Sequence, residues 1–393
     1  MNAPVSSLLS AHADLRAWLF DEALPLWWRI GGDRVGGGFF ELLDQTGAVV
    51  EVPRRTRLVG RQIFSYAKAA AMGWDGPAKE IVDHGIDFLL GRSLAPDGTF
   101  HGSVAPDGTP LRPVFDLYDH AFALFGLAAA VPVVDDPDRL KTVARGVREK
   151  MLAGWKHPVA GFEESAPRSL PLQANPHMHI FEASLAWIEA GPITGDNGWD
   201  ALADEIAELC LKRFLHPQNG ALREFFDGNW NTVDGEAGRI VEPGHQFEWA
   251  WLLKRWGLMR GRPDALAAAR RLVEIAETHG VDPASGLAIN ELFDDFSIRD
   301  DKSRLWPQTE RIKAWLAMAD LGATAAERSA AQERAAIAVR GLMRYFSKEV
   351  PGSWHETIRP DGGFMPAEAR ASSLYHITCA FDCLDAAVGG GGA

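Results

Sequence analysis

GALREFFDGNW, residues 220–230, and EPGHQFEWAWLL, residues 242–253, together make up the unit from which this chain is built. The first piece opens on a glycine, carries paired aromatics beside Glu224 and ends in a DG turn, the pattern of a short hairpin. The second opens on Pro-Gly and then runs apolar nearly all round, the pattern of a buried helix. Five other segments resemble the hairpin: GGGFFELLDQTG from Gly36, GTFHGSVAPDGT from Gly98, AGFEES from Ala160, GLAINELFDDF from Gly286 and GSWHETIRPDGG from Gly352. Taking one polar residue from each gives Glu41, His101, Glu163, Glu224, Glu291 and Glu356, at intervals of 60, 62, 61, 67 and 65 residues.

Each hairpin is followed by an apolar stretch: QIFSYAKAAA, HAFALFGLAAA, IFEASLAWIEA, FEWAWLLKRW, IKAWLAMADL and LYHITCAFDCL. More amphipathic helices come next, as at 264–280 and 325–346. Six repeats of inner helix, outer helix and hairpin predict an all-α fold, an (α/α)6 barrel of about twelve helices with the hairpins at one end. The alternative is an open solenoid of helix pairs, for which a period near sixty is long. One barrel domain is expected over residues 1–388, with a disordered glycine-rich tail at 389–393.

Composition narrows the function. A net charge of −13 over 393 residues argues against a nucleic-acid partner. The densest basic stretch, PRRTRLVGR at 53–61, reads as a helix entry. Three cysteines without a CxxC pair fit a reducing, cytoplasmic compartment and no structural zinc. The first twenty residues lack a basic n-region and a long apolar run, so neither a signal peptide nor a membrane span is expected.

If the inner helices run parallel, the residues that open them gather at one mouth: Arg61, His120, His179, His245, Glu310 with Trp306 and Gln308 before it, and His376. His245 and Glu248 fall at i, i+3 on one helix face. His177 reads as a core residue, and His84 and His279 as surface residues. Three chemistries are open to such a ring. Divalent metal binding is disfavoured because the histidines come from different helices with no HExxH pair. Glycoside hydrolysis needs two flanking carboxylates, for which Asp116 and Glu310 are the candidates. Proton transfer beside a carbonyl suits imidazole at neutral pH and needs no cofactor.

Six stretches carry a family resemblance: GRQIFSYA (60–67), DLYDHAFAL (116–124), NPHMHIFEA (175–183), EPGHQFEWAWLL, WPQTERIKA (306–314) and SLYHITCAF (373–381). Over essentially its whole length the chain resembles the N-acylglucosamine 2-epimerase superfamily, which also holds mannose isomerases and cellobiose 2-epimerases. The resemblance implies a small-molecule sugar substrate, no cofactor, no metal, and His245 and His376 as the general acid/base pair. It implies substrate contacts from Arg61, His179, Glu248 and Trp306. Asn175, Asp116, His120, Gln308 and Glu310 join them as candidate binding residues from the matching stretches and the ring. In the implied mechanism His245 takes the C2 proton, and the proton returns to C1 for a ketose or to C2 for an epimer.

EPGHQFEW points to the isomerase branch, so the expected activity is D-mannose/D-fructose isomerisation. The alternatives are 2-epimerisation of an N-acylglucosamine or a neutral sugar, then a hydrolase or a non-catalytic sugar-binding barrel. A phosphosugar would need a further basic anchor, for which Arg54, Arg55 and Arg57 are at hand, though helix entry explains them too. A monomer or homodimer is expected.

Overall fold

A computed structural model describes residues 3–191 and 196–389. After α1 (Ala3–Ala17) and a short α2 (Leu24–Arg29), helices alternate between inner and outer positions. They are α3 (Thr56–Ala71), α4 (Ala78–Phe88), α5 (Leu117–Ala130), α6 (Pro137–Gly154), α7 (Ala174–Glu189), α8 (Gly198–Leu209), α9 (Pro243–Arg260), α10 (Pro263–His279), α11 (Leu305–Leu321), α12 (Ala325–Met343) and α13 (Ser372–Gly389). The odd-numbered helices from α3 to α13 form the inner ring. Each packs on the next, and α13 packs back on α3, so the ring is closed and not a solenoid. The outer helix of the last unit is supplied by the start of the chain: α1 packs on both α12 and α13. Gly389 ends the last helix, so the expected tail begins one residue too early; positions 390–393 lie outside the described residues.

Local chemistry sets the helix ends. The Asp116 side chain accepts the Asp119 N–H at the start of α5, and Thr324 and Glu327 form a reciprocal capping box on α12. Pro243 occupies the first turn of α9, where its missing N–H has no intrahelical partner to lose, and Gly261 ends that helix at φ 62°.

The extended residues leading into each inner helix pair with the hairpin that follows the outer helix of the same unit. Arg55 lies opposite Ser103, Gln173 opposite Phe225, Arg304 opposite Thr357, Val241 opposite Leu292, and Arg370 opposite Leu42, with an isolated bridge between Asp116 and Ser165. This register corrects the polar positions chosen by spacing. Glu41, Glu164, Glu224 and Glu356 offer their carbonyls to Ala371, Leu117, Ala174 and Leu305, while Gly102 accepts from Thr56. Gly102, Glu164 and Asn290 therefore replace His101, Glu163 and Glu291, because strand faces alternate and a one-residue slip reverses the side chain. The buried members are those the backbone selects: Glu41, Glu164, Glu224 and Asn290 are buried, whereas His101, Glu163 and Glu291 are half-exposed.

The inner ring closes tightly at one crossing. A Cβ on Gly60 of α3 would lie 2.0 Å from the Phe122 carbonyl oxygen of α5, and one on Gly126 would lie 2.6 Å from the Gly60 carbonyl oxygen. Backbone cannot rotate away as a side chain can. Gly60→Ala is expected to destabilise the fold by about 2–4 kcal/mol, read as a lower urea midpoint at unchanged m-value.

Candidate active site

The register fixes equivalent positions along the inner helices. Counting from the residue just before each helical turn begins (Arg55, Asp116, Gln173, Glu242, Arg304 and Arg370), the sixth position holds Arg61, Phe122, His179, Glu248, Glu310 and His376. The second position holds Arg57, Tyr118, Asn175, Gly244, Trp306 and Ser372. Most of these line one cavity of about 420 Å³: Arg61, Tyr118, Asn175, His179, Glu248, Trp306, Ser372 and His376. His245 lines it too, but from the third position, one turn nearer the mouth. His179 and His376 are thus true repeat equivalents, and the equivalent of both on α9 is Glu248, not His245.

Four expected site residues do not line the cavity. At the fourth position stand His120, His177, Gln246 and Gln308, and all four do the same structural task. The Nδ1–H of His120 donates to the Asp116 carbonyl while its Nε2 accepts the Phe100 N–H. His177 does likewise with Gln173 and Phe162. Gln246 exchanges hydrogen bonds with the Leu222 backbone, and Gln308 with that of Ala288. Two residues of helix turn a side chain by about 200°, from the barrel axis to the hairpin behind. Burial accordingly lowers His120 to about 4 and His177 to about 3. Asp116 caps α5 and pairs with Arg112 at 2.7 Å. Glu310 lies behind His376. The carboxylate pair that hydrolysis would require, Asp116 and Glu310, therefore does not face a common substrate.

The two candidate proton carriers both lie close to Trp306, whose ring centroid is 5.0 Å from that of His245 and 5.8 Å from that of His376. The indole lies over Gly244, where a Cβ would meet it at 2.4 Å, which explains the glycine of the PGH turn. Electrostatics push the two imidazoles apart. Burial alone would lower His245, but the carboxylates of Glu224 and Glu242, with Glu224 accepting from Nδ1 at 3.0 Å, hold it up at about 10. His376 is held well below its ordinary value by burial and by the charges of Arg61 and Lys313. The Glu310 carboxylate accepts from its Nδ1 at 2.9 Å, and Nε2 has no hydrogen-bond partner among the described residues. The surroundings thus favour the protonated form of His245 and the neutral form of His376, the division that an acid–base pair requires.

A charged layer underlies the site, and spacing alone did not reveal it. Lys313, fully buried, pairs with Glu310 at 2.5 Å and lies 4.0 Å from the centroid of the Trp251 ring. Glu182 accepts from Tyr375 Oη at 2.6 Å and from His179 Nδ1 at 3.2 Å. The signal for Glu182 was its place three residues after His179 on a buried helix. Burial and the neighbouring charges of Glu310 and Glu182 hold Glu248 well above the ordinary carboxylate range, so it can donate as well as accept. Its Oε1, the Asn175 Oδ1 and the Trp306 Nε1 are buried without partners, and all three residues line the cavity. Arg61 donates to Tyr118 Oη at 2.8 Å and stacks 3.8 Å from the Phe122 centroid.

Two clusters bring ligand-type atoms within 4.8 Å of one another: His179, Glu182 and Glu248, and Glu224, Glu242 and His245. In both, the histidine Nδ1–H is already spent on a carboxylate, and a protonated His245 is not a metal ligand. The first also lies beside the cations of Arg61 and Lys313. Neither donor set fits a divalent ion well.

Comparison with known proteins gives the family. The family model for N-acylglucosamine 2-epimerase (GlcNAc 2-epimerase) matches residues 38–380. A mannose-6-phosphate isomerase of Rhizobium meliloti (strain 1021) is 44% identical over 381 residues, covering 94% of this chain and 97% of that protein. A D-mannose isomerase of Thermobifida fusca is 30% identical, over 90% of this chain and 89% of its own. Among solved structures, the cellobiose 2-epimerase of Spirochaeta thermophila DSM 6192 superposes with a TM-score of 0.85 at 22% identity, covering 98% of both chains. With the fold and these matches in agreement, the chain belongs to the N-acylglucosamine 2-epimerase family and is an enzyme of the isomerase and epimerase class.

Proposed function

We propose that the protein interconverts a mannose-type aldose and its ketose by proton transfer through a cis-enediolate, without a cofactor. The observation that carries this reading is the pair of histidines, His245 and His376, lining one cavity with the Trp306 ring 5.0 and 5.8 Å from them. The names of the two curated relatives, a mannose-6-phosphate isomerase and a D-mannose isomerase, supply the sugar.

Neutral His376 takes the C2 proton of the open-chain aldose at Nε2. The C–H electrons form the C1–C2 double bond, and charge moves to O1. The His245 imidazolium donates to O1 and regains a proton from O2, while His376 returns its proton to C1. Atoms and charge balance without an external reductant or oxidant. This order reverses the one implied by the family resemblance, in which His245 accepts first, because Glu224 and Glu242 keep His245 charged. Arg61 and His179 face the oxygen-rich side of the substrate, and Glu248 meets a hydroxyl. The unpaired cysteines, Cys210, Cys379 and Cys383, fit a reducing compartment and support a cytoplasmic setting.

D-mannose incubated with the enzyme in D2O and a chelator is expected to give fructose carrying deuterium at C1, seen by proton and carbon NMR. Labelled glucose beside it would add epimerisation. If mannose and its 6-phosphate stay unchanged while an N-acylglucosamine or a disaccharide exchanges its C2 proton, the epimerase reading replaces this one.

A further inference from the structure

Three arginines were candidates for an anionic substrate group, and the structure removes all of them. Arg54 is buried and paired with Asp33 at 2.8 Å. Arg55 is paired with Glu41, and Arg57 with Asp119 at 2.9 Å. Two other arginines stand in their place. Arg304 and Arg370 both line the active-site cavity, and neither has an ion-pair partner among the described residues. They occupy equivalent positions on adjacent units, just before α11 and α13, at the mouth above Trp306 and His376. Arg304 is steadied by the Trp306 ring, 5.2 Å from its centroid.

The nearby carboxylates, Glu242 for Arg304 and Glu356 for Arg370, feel these charges but do not close to ion-pair distance. Glu356 accepts from Trp354 Nε1, from the Arg370 backbone N–H and from Ser373 Oγ. Glu242 lies 3.7 Å from His245 Nδ1. Thr357 and Ser372 add hydroxyls to the same side of the cavity. The reacting end of the sugar must lie deep, at His245 and His376. The far end of an open-chain hexose then points to the mouth, where the two guanidiniums stand.

We infer that Arg304 and Arg370 form an anion anchor, and that the aldose taken by this enzyme carries a phosphomonoester at C6. The inference rests on the isomerase reading and names its substrate class. Guanidinium forks match phosphate oxygens in a way that a neutral sugar hydroxyl does not.

The test compares D-mannose 6-phosphate with D-mannose on wild type and on the R304Q/R370Q double variant. Wild type is expected to favour the phosphosugar in kcat/KM. The double variant is expected to lower the ratio of the two kcat/KM values by roughly 100-fold, mostly through KM, since each of the two lost charge-assisted contacts is worth about tenfold. The R304K/R370K pair should restore part of the ratio. A wild type indifferent to the phosphate, or a double variant whose ratio stays within about twofold of wild type, would overturn the anchor. Calorimetric titration with D-fructose 6-phosphate and D-fructose separates the two claims. Phosphate-dependent binding that disappears in the double variant, with no turnover of either sugar, would sustain the anchor and sink the isomerase reading. Equal binding of both ligands would sink the anchor alone.

Discussion

His376→Asn is expected to cut kcat/KM for aldose–ketose exchange by about 10²–10⁴-fold, the range for a positioned general base. Asparagine keeps a polar contact near Glu310 but has no lone-pair nitrogen of suitable basicity. The same loss should appear in solvent-deuterium incorporation at C2 of recovered aldose, because both readouts need the first proton transfer. The variant's thermal midpoint should be measured alongside. A folded His376→Asn protein with near-normal exchange would rule out His376 as the base.

The second large effect concerns His245. His245→Ala is expected to cost a similar factor, since charge developing on O1 then meets no imidazolium. The two histidines also predict the pH profile, and the signs are opposite. His376 must be neutral, and its pKa lies well below 6.5, so activity falls only as the pH drops into the acid range. His245 must be protonated, and its pKa is about 10, so activity falls as the pH rises through that value. The profile of kcat/KM should therefore be flat through neutrality with a distant alkaline limb. Glu224→Gln removes the carboxylate that supports the imidazolium. The alkaline limb should move toward neutral pH, with the acid limb unmoved. A purely structural role for Glu224 would lower activity evenly and leave both limbs in place.

The electrostatics also explain why a site with so many carboxylates can work as a base site. Burial, then the charges of Arg61 and Lys313, favour neutral His376, while at His245 the carboxylates of Glu224 and Glu242 outweigh burial and favour the charged form. His376 has the cations Arg61 of α3 and Lys313 of α11 near it as well as the Glu310 carboxylate on its Nδ1, whereas the charges acting on His245 are chiefly the carboxylates of the hairpin and helix entry.

Much of this was legible in the linear chain. Alternation of hairpin signals with apolar and then amphipathic helices at a near-constant interval determined a closed ring of helix pairs, because each unit leaves apolar surface that only its neighbours cover. The same repeat determined that His179, His245 and His376 would gather at one mouth with Arg61 and Trp306. Tertiary structure alone decided which residues face that cavity. The loops between hairpin and inner helix differ in length, so counting from the hairpin could not separate the fourth helical position from the sixth. That difference of about half a turn sends His120 and Gln308 into hairpin clamps and His376 into the site. Tertiary structure also decided which arginines are free. Arg54, Arg55 and Arg57 look available in sequence, yet Asp33, Glu41 and Asp119 reach them across the fold. Arg304 follows Asp300 and Asp301 in the chain and Arg370 follows Glu368, yet neither arginine has an ion-pair partner among the described residues, and both line the mouth. A charge's partner is set by distance in space, and no local pattern of residues encodes that distance.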